Sequence, residues 1–325
     1  MKTYIVTGGA GFIGSHLSET LLNEGHTVIS IDNFNDFYNP NIKHKNIEKI
    51  KEQYSNFSSY NLDFRNKNEF KEVVKKEKPL CIIHLAAMAG VRPSIEDPEL
   101  YTDVNIRGTQ NIFEVCTELG IKNVVFASSS SVYGVNKKIP FSEDDQVDAP
   151  ISPYAMTKKQ NELMAHLYHH LYGINMVGLR FFTVYGARQR PDLAIHKFTK
   201  MIDNGEPIPF FGDGSTRRDY TYINDIIDGV IKAIDYCEQN ENVYDIFNLG
   251  ESETTTLKQL VEEIEMSLGK KAIINRLPMQ SGDVPITFAD ISKSKKILGY
   301  APKTKIKEGI PKFVAWYKNN KSMEN

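Results

Sequence analysis

Residues 7–14 read TGGAGFIG and directly follow the apolar run at residues 4–6. A strand, a glycine-rich turn and the start of a helix form the arrangement in which bare backbone lets a pyrophosphate approach amide groups and a helix dipole. Gly9, Gly11 and Gly14 satisfy the pattern G-x-G-x-x-G. The stretch therefore predicts a dinucleotide site at the beginning of an α/β fold.

The next apolar run, residues 26–31, ends at Asp32. In a dinucleotide-binding βαβ unit, an acidic side chain at about this place accepts hydrogen bonds from the hydroxyls of the adenosine ribose. An ordinary glycine turn is the alternative interpretation of residues 7–14, and the position of Asp32 disfavours it. We expect NAD as the cofactor.

The 325 residues carry a net charge of −2, so the composition indicates neither a nucleic-acid nor a membrane surface. No apolar run approaches the length of a bilayer span, and no signal-peptide h-region precedes the first strand. The three cysteines are far apart, which fits reduced thiols better than a disulfide framework. We expect a cytoplasmic protein with a small-molecule substrate and no nucleic-acid or membrane partner.

Short apolar runs alternate with longer amphipathic stretches through the first half of the chain. Strands are expected at 3–7, 27–32, 58–63, 80–85, 124–128 and 175–181. Helices are expected at 12–23, 42–53, 67–76, 104–119 and 153–171. The alternation predicts a doubly wound parallel α/β sheet, a Rossmann fold, with a smaller C-terminal α/β substrate domain.

The alternation loosens after Gly186, and proline and glycine cluster at 206–214. We therefore expect an NAD-binding Rossmann domain at 1–185, which also receives part of 219–250. The remaining residues, 186–325, are expected to form mainly the substrate-binding domain.

Tyr154 and Lys158 are the candidate proton-transfer pair. They lie four residues apart, on one face of the helix that Ser152 and Pro153 start. An ammonium close to a phenol stabilises the phenolate, so we expect Lys158 to lower the pKa of Tyr154. The same spacing occurs at two other pairs, one in a polar loop and one in the terminal tail: Tyr133/Lys137 and Tyr317/Lys321.

Residues 126–134 read FASSSSVYG, a strand that ends in four hydroxyls. Ligands of doubly wound sheets bind at the C-terminal ends of the strands. We therefore expect Ser129 to share the hydrogen bond to the reacting oxygen. A serine-rich turn without a catalytic role is the alternative.

Together these features resemble the extended short-chain dehydrogenase/reductase family of nucleotide-sugar epimerases, dehydratases and decarboxylases. The resemblance runs over nearly the whole chain and includes NLDFR at 61–65, HLAA at 84–87, NIRGT at 105–109 and GDGSTRRDY at 212–220. It implies tightly bound NAD⁺, a nucleotide-sugar substrate and a homodimer built from helices that include 153–171. Many relatives have arginine three residues before Asp283, but Gln280 stands here.

The resemblance also implies which residues contact the cofactor and the substrate. The cofactor residues are Gly8, Gly11, Phe12, Ile13, Gly14, Asp32, Asn33, Asp63, Leu85, Ala86, Ala87, Tyr154 and Lys158. The substrate residues are Arg92, Ser129, Ser130, Ser131, Thr183, Arg190, Arg218 and Asp283. Tyr154, Lys158 and Ser129 are the catalytic residues.

The serine strand indicates which reaction the family resemblance implies. Dehydratases of the family resemble one another in an Asp-Glu pair at the places of Ser130 and Ser131, and the decarboxylases have glutamate at the place of Ser131. Because these acids are missing, the residues that remain suit oxidation followed by re-reduction, which is an epimerisation.

Three segments are similar to the branch of the family that acts on UDP-glucuronate: MAGVRPS at 88–94, RFFTVYG at 180–186 and ARQRPDLA at 187–194. We expect 4-epimerisation of UDP-glucuronate to UDP-galacturonate, through a 4-keto sugar and transient NADH, as a step toward a surface polysaccharide. A UDP-glucose or UDP-N-acetylglucosamine 4-epimerase is the alternative. A UDP-glucuronate decarboxylase and a non-catalytic NAD-binding regulator are less favoured.

His166, His169 and His170 lie close together on one expected helix. A metal site would need further ligands, and the expected chemistry uses no metal. We interpret the three histidines as part of a solvated helix face and expect no metal.

Overall fold

The computed structural model describes residues 1–279 and 284–321. Its strands are β1 (Thr3–Thr7), β2 (Thr27–Asp32), β3 (Phe57–Asn61), β4 (Cys81–His84), β5 (Asn123–Ser129), β6 (Asn175–Phe181), β7 (Thr183–Tyr185), β8 (Pro207–Phe211), β9 (Arg217–Arg218), β10 (Tyr220–Tyr222), β11 (Tyr244–Leu249), β12 (Thr255–Thr256) and β13 (Ile273–Leu277).

The helices enclose the sheet and build the C-terminal part. They are α1 (Phe12–Asn23), α2 (Pro40–Gln53), α3 (Lys67–Glu77), α4 (Val91–Glu96), α5 (Pro98–Thr102), α6 (Gly108–Leu119), α7 (Pro153–Tyr172), α8 (Ala194–Asn204), α9 (Ile223–Gln239), α10 (Leu257–Leu268), α11 (Ser292–Leu298) and α12 (Ile306–Asn320). A π-helical turn, Asp103–Arg107, precedes α6, and a 3₁₀ turn, Ser130–Tyr133, follows β5.

Seven of the described strands form one parallel sheet in the order β11-β6-β5-β4-β1-β2-β3. Alternate residues of β1 pack on opposite faces: Tyr4 and Val6 join one apolar cluster and Ile5 joins the other. Helices α1 and α9 cover the first face, and α3, α6 and α7 cover the second. Both faces are therefore buried, which explains the nearly continuous apolar runs.

This architecture confirms the predicted doubly wound parallel fold. The predicted bounds of β1, β2, β6 and α1 agree with the structure. The predicted helix at 104–119 is divided, because the π-helical turn precedes α6.

The chain after Gly186 contributes both to the large sheet and to a separate region. Strand β11 returns to the large sheet beside β6, whereas β8 pairs with β13 and β9 pairs with β12 away from it. The predicted domain boundary at 185/186 stays a prediction. Among residues 1–279 and 284–321, no helix combines the length and apolar character of a bilayer span.

Candidate active site

A cleft of about 830 Å³ opens at the C-terminal ends of the parallel strands. It lies where β1 has β2 on one side and β4 on the other, which is the point at which the strand order reverses. Ligands of open α/β sheets bind at such a point. Residues from the glycine turn, the serine strand, α7 and the segments near Arg190 and Arg218 line the same cleft.

The glycine turn gives the cleft a bare backbone floor. Gly8 has φ +70°, and its amide donates to the Ile31 carbonyl at 2.7 Å. A Cβ at Gly14 would come within 2.8 Å of the Gly9 Cα, so a side chain there would push α1 away from the turn. Gly11 starts α1 without a side-chain cap, which leaves first-turn amides for a ligand.

Asp32 lies at the end of β2, where the sequence places the ribose-binding acid. Its Oδ2 accepts from the Ala10 amide at 3.3 Å, and its Oδ1 accepts from the Phe34 amide at 2.9 Å. The Lys43 ammonium lies 3.6 Å from Oδ1. Lys43 lies in the cleft but was not predicted from the sequence, because a lysine on an amphipathic helix carries no distinctive signal.

Asn33 and Asp63 lie together at the adenosine end of the expected cofactor site. The Asn33 amide donates to Asp63 Oδ2 at 3.0 Å, and Arg65 donates to the same oxygen at 2.6 Å. Burial alone would raise the pKa of Asp63, but the hydrogen bonds from Arg65 and Asn33 outweigh burial and hold it below its ordinary value. The carboxylate therefore stays an acceptor.

The residues after β4 form the facing wall, which includes Leu85, Ala86 and Ala87. A Cβ at Gly8 would lie only 2.9 Å from the Ala86 amide nitrogen, so only a glycine allows this close approach. Asn105 in the π-helical turn holds the wall: it accepts from the Met88 amide at 2.8 Å and donates to the Met88 carbonyl at 2.9 Å.

Tyr154 and Lys158 stand on α7, which begins as predicted with Pro153 in its first turn and Ser152 as its N-cap. The Lys158 ammonium is buried, donates to the Ala127 carbonyl at 2.7 Å and lies 5.9 Å from the centre of the Tyr154 ring. Ser129 at the end of β5 hydrogen-bonds the Tyr154 phenol. The structure thus brings the three predicted catalytic side chains to one place.

The expectation that Lys158 lowers the pKa of Tyr154 is wrong for this arrangement. Burial raises the pKa of Tyr154, and the groups that oppose burial are the Ser129 hydroxyl and the Arg190 guanidinium. Burial also lowers the pKa of Lys158 to about 8. Loss of hydration on burial is the main cause of both pKa shifts. The spacing of the two residues in the sequence could not reveal this burial.

We expect Ser129→Ala to move the acid limb of the pH-rate profile to higher pH by up to about one unit. The base must be deprotonated, and without the Ser129 hydrogen bond the pKa of Tyr154 rises further. The profile of turnover between pH 5.5 and 9 measures the shift. Ser130→Ala is the matched control, and an unmoved limb in Ser129→Ala would remove Ser129 from this role.

The predicted substrate residues lie around the remainder of the cleft. Arg92, Ser129, Ser130, Ser131, Thr183, Arg190 and Arg218 all line it. The Ser131 hydroxyl is buried without a hydrogen-bond partner among the described residues, so it can bond a ligand. Asp283 and Gln280 lie outside the described residues.

Arg190 already forms an ion pair with a carboxylate of the protein, that of Asp192. Its guanidinium donates twice to Asp192, at 2.9 and 2.7 Å, and once to the Ala89 carbonyl at 3.4 Å. The Phe37 ring lies 4.8 Å from the guanidinium carbon. Arg190 was predicted from the sequence as a site residue, whereas Asp192 and Phe37 were not.

A buried ion pair lies behind the serine strand. Arg180 on β6 donates to both carboxylate oxygens of Glu162 on α7, at 2.8 and 2.9 Å. Ser128 donates to Glu162 at 2.7 Å, and Arg180 also donates to the Tyr133 hydroxyl at 3.0 Å. The pair connects α7, which carries Tyr154, to β5 and β6, which carry Ser129 and Phe181. It was not predicted from the sequence.

The other candidate residues lie outside the cleft. Tyr133 and Tyr317 are the two other tyrosines with a lysine four residues later. Tyr133 donates to Asn248 at 2.7 Å and Tyr317 donates to Asp203 at 3.3 Å, so both hydroxyls are bonded away from Tyr154. His169 bonds the Ile174 carbonyl. Within residues 1–279 and 284–321, no three His, Cys, Asp or Glu side chains are grouped to hold a metal ion.

The chain is similar in sequence to a known protein family and to several of its members. The family model described as GDP-mannose 4,6 dehydratase matches residues 5–313. An uncharacterized protein of Methanocaldococcus jannaschii is 52% identical over 322 residues, which cover 98% of this chain and 97% of that protein. A UDP-glucuronate 4-epimerase of Thermodesulfobacterium geofontis is 43% identical over 321 residues, covering 98% and 97%.

A solved structure extends the likeness to three dimensions. The crystal structure of UDP-glucuronic acid 4-epimerase from Bacillus cereus, in complex with UDP-glucuronic acid and NAD, superposes with a TM-score of 0.91 at 36% identity, covering 98% of this chain and 99% of that one. These matches confirm the resemblance read from the motifs. The chain belongs to the extended short-chain dehydrogenase/reductase family.

Proposed function

We propose that this protein is an NAD-dependent isomerase that interconverts UDP-glucuronate and UDP-galacturonate by epimerisation at C4. One observation carries the proposal: the cleft holds Tyr154, Lys158 and Ser129 beside the glycine turn, with hydroxyls and not carboxylates at positions 130 and 131. The relatives named UDP-glucuronate 4-epimerase support it over their full length.

The residues of the cleft fit NAD. Gly8, Gly11 and Gly14 leave room for a pyrophosphate where side chains would meet backbone, and Asp32 would hold the ribose hydroxyls. Asn33 and Asp63 lie at the adenosine end. When bound, NAD supplies the acceptor and the donor of hydride at C4 of the sugar.

Tyr154 acts as the base and then as the acid. It takes the proton of the sugar 4-hydroxyl, and Ser129 shares the hydrogen bond to that oxygen. The 4-keto sugar turns about its diphosphate link, and Tyr154 returns the proton after the other face has been reduced. Lys158 holds positive charge near the phenol ring and ties α7 to the Ala127 carbonyl.

The sugar carboxylate needs charged or multiple hydrogen bonds. Arg190, Thr183, Ser130 and Ser131 all line the cleft and can supply them. A carboxylate beside a 4-ketone belongs to a β-keto acid, which can lose carbon dioxide to give an enolate, and protonation of that enolate completes the decarboxylation. A serine at position 131, where decarboxylases of the family have an acid, avoids that proton donor.

We expect Arg190→Ala to lower kcat/KM for UDP-glucuronate about 10- to 100-fold, because a charge-assisted hydrogen bond is lost. The value for UDP-glucose should fall less, since that sugar has no carboxylate and loses only the effect of Arg190 on the pKa of Tyr154. Arg188→Ala is the matched control: its guanidinium pairs with Glu19 at 2.7 Å and does not line the cleft. An unchanged preference between the two sugars would contradict this role.

A substrate panel tests the proposed function. Purified protein is incubated with UDP-glucuronate, UDP-glucose and UDP-N-acetylglucosamine, and the products are identified by NMR. We expect UDP-galacturonate to form fastest. Thr287 is small and lines the cleft, so the N-acetyl sugar is the second candidate. A UDP-pentose would indicate a decarboxylase, and inactivity on all three would favour a regulator.

The domain assignment follows from this function. We propose that residues 1–185 with part of 219–250 hold NAD, and that 186–325 mainly hold the nucleotide part of the substrate. Arg218, which lines the cleft from β9, supports this. The three cysteines are buried and unpaired, which agrees with the reducing cytoplasm as the place of work.

A homodimer is the proposed assembly. Leu163, Leu167 and Leu171 recur every four residues on α7 and are 59%, 50% and 57% exposed. Such an apolar stripe on a helix fits a second copy of the same helix. Light scattering should give twice the mass of the chain, and Leu167→Glu should give the monomer. A monomeric wild-type protein would overturn the proposal.

A further inference from the structure

Tyr101 is a buried tyrosine beside the base that the mechanism does not use. It lies on α5 and is 1% exposed. Its ring meets the Tyr154 ring edge to face, with the centroids 6.2 Å apart and the planes at 84°. An edge-to-face pair prefers one relative orientation, so the Tyr101 ring restricts the orientation of the Tyr154 ring.

The Tyr101 hydroxyl is buried without a hydrogen-bond partner among the described residues. Tyr185 shares this property, whereas two other buried tyrosines are bonded: Tyr300 donates to the Gly250 carbonyl at 3.0 Å, and Tyr133 donates to Asn248 at 2.7 Å. Burial raises the pKa of Tyr101 to about 12, so the hydroxyl keeps its proton and remains a donor at neutral pH. A buried donor without an acceptor is costly.

The hydroxyl lies near Gly90, in the Ala89–Gly90 turn that precedes α4. A Cβ built on Gly90 would lie 3.6 Å from it, and Gly90 has φ +126°, which suits only glycine. From the cleft, Arg190 reaches the same turn through its 3.4 Å contact with the Ala89 carbonyl. The Ala89–Gly90 turn thus lies close to an unsatisfied donor and to the arginine proposed for the sugar carboxylate.

We propose that Tyr101 is a positioning residue, whose ring orients Tyr154 and whose hydroxyl donates to the Ala89–Gly90 turn only after the sugar carboxylate has drawn Arg190 away from it. The proposal rests on the proposed function, because it requires a carboxylate in the substrate. A hydrogen bond present only in the bound state favours substrate binding by its whole free energy. Tyr101 therefore contributes to selection of the acidic sugar without touching it.

Two variants separate the ring from the hydroxyl. Tyr101→Phe keeps the ring and should raise KM for UDP-glucuronate about 2- to 10-fold with kcat nearly unchanged. The thermal midpoint of the free protein should rise by about 2–4 °C, because an unsatisfied donor is removed. Tyr101→Leu also removes the ring and should lower kcat about tenfold or more. Tyr300→Phe, which loses a satisfied bond far from the cleft, should lower the midpoint and leave KM unchanged.

Thermal shifts with two ligands complete the test. UDP has no carboxylate, so it should stabilise Tyr101→Phe and the wild type equally, whereas UDP-glucuronate should stabilise the variant less. A lowered midpoint of free Tyr101→Phe, or an unchanged KM, would overturn the role of the hydroxyl, and an unchanged kcat of Tyr101→Leu would overturn that of the ring. Failure of the proposed function is distinct: the wild type itself would not turn over UDP-glucuronate.

Discussion

Replacing Tyr154 by phenylalanine should lower turnover of UDP-glucuronate about 10²- to 10⁴-fold, which is the usual contribution of a positioned general base. The phenol is the group that Ser129, Lys158 and Arg190 surround, and phenylalanine keeps the ring without the proton acceptor. The variant should fold, since the aromatic contact with Tyr101 remains. Steady-state kinetics by NMR or coupled assay measures the loss.

The control must show that the loss is chemical. NAD released from denatured Tyr154→Phe should match the wild-type amount, because the glycine turn and Asp32 are untouched. Tyr317→Phe removes a tyrosine with the same spacing to a lysine, and its hydroxyl bonds Asp203 away from the cleft. That variant should retain wild-type turnover. Near-normal turnover of Tyr154→Phe would mean that another group is the base.

Arg180→Met should destabilise the protein by about 3–5 kcal/mol, because it removes both guanidinium hydrogen bonds from the buried Glu162 carboxylate and leaves it only the Ser128 hydroxyl and the Lys159 ammonium at 3.4 Å. Glu162 is 1% and Arg180 is 3% exposed. Lys232→Met is the matched control: it breaks an exposed pair with Asp228 at 2.8 Å and should cost at most about 1 kcal/mol. Denaturant unfolding of the three proteins measures the difference.

The stability lost in Arg180→Met should depend on pH in a definite direction. Burial raises the pKa of Glu162, and Arg180 reverses this and holds it below its ordinary value. In Arg180→Met the Ser128 hydrogen bond and the Lys159 charge remain, but burial loses its strongest opponent, so Glu162 binds a proton more readily in the folded variant than in the folded wild type. The stability that the variant loses relative to the wild type should therefore shrink as the pH falls toward 5. The double variant Arg180→Met/Glu162→Leu should be more stable than Arg180→Met alone, and equal losses would contradict the pairing.

The fold could be predicted because its signals are local. The short apolar runs and the glycine turn lie within short windows, so the bounds of β1, β2 and α1 were predicted correctly. Tyr154 and Lys158 were identified for the same reason, because residues four apart on one helix lie next to each other on the same face.

What the sequence could not reveal depends on contacts between distant elements. Glu162 and Arg180 are buried together only because α7 packs on β6, and no spacing rule connects them. The raised pKa of Tyr154 follows from what covers its ring, which a helical pattern does not contain. The Tyr101 hydroxyl is notable for a missing partner, and absence of a hydrogen bond is visible only in three dimensions.

The most direct test of the central claim uses UDP-glucuronate labelled with deuterium at C4. We predict that NMR of the reaction with purified protein and no added cofactor will show UDP-galacturonate with the deuterium still at C4, because an epimerase with resident NAD returns hydride to the same carbon. A UDP-pentose, a product that has lost the label, or dependence of turnover on added NAD would contradict the account.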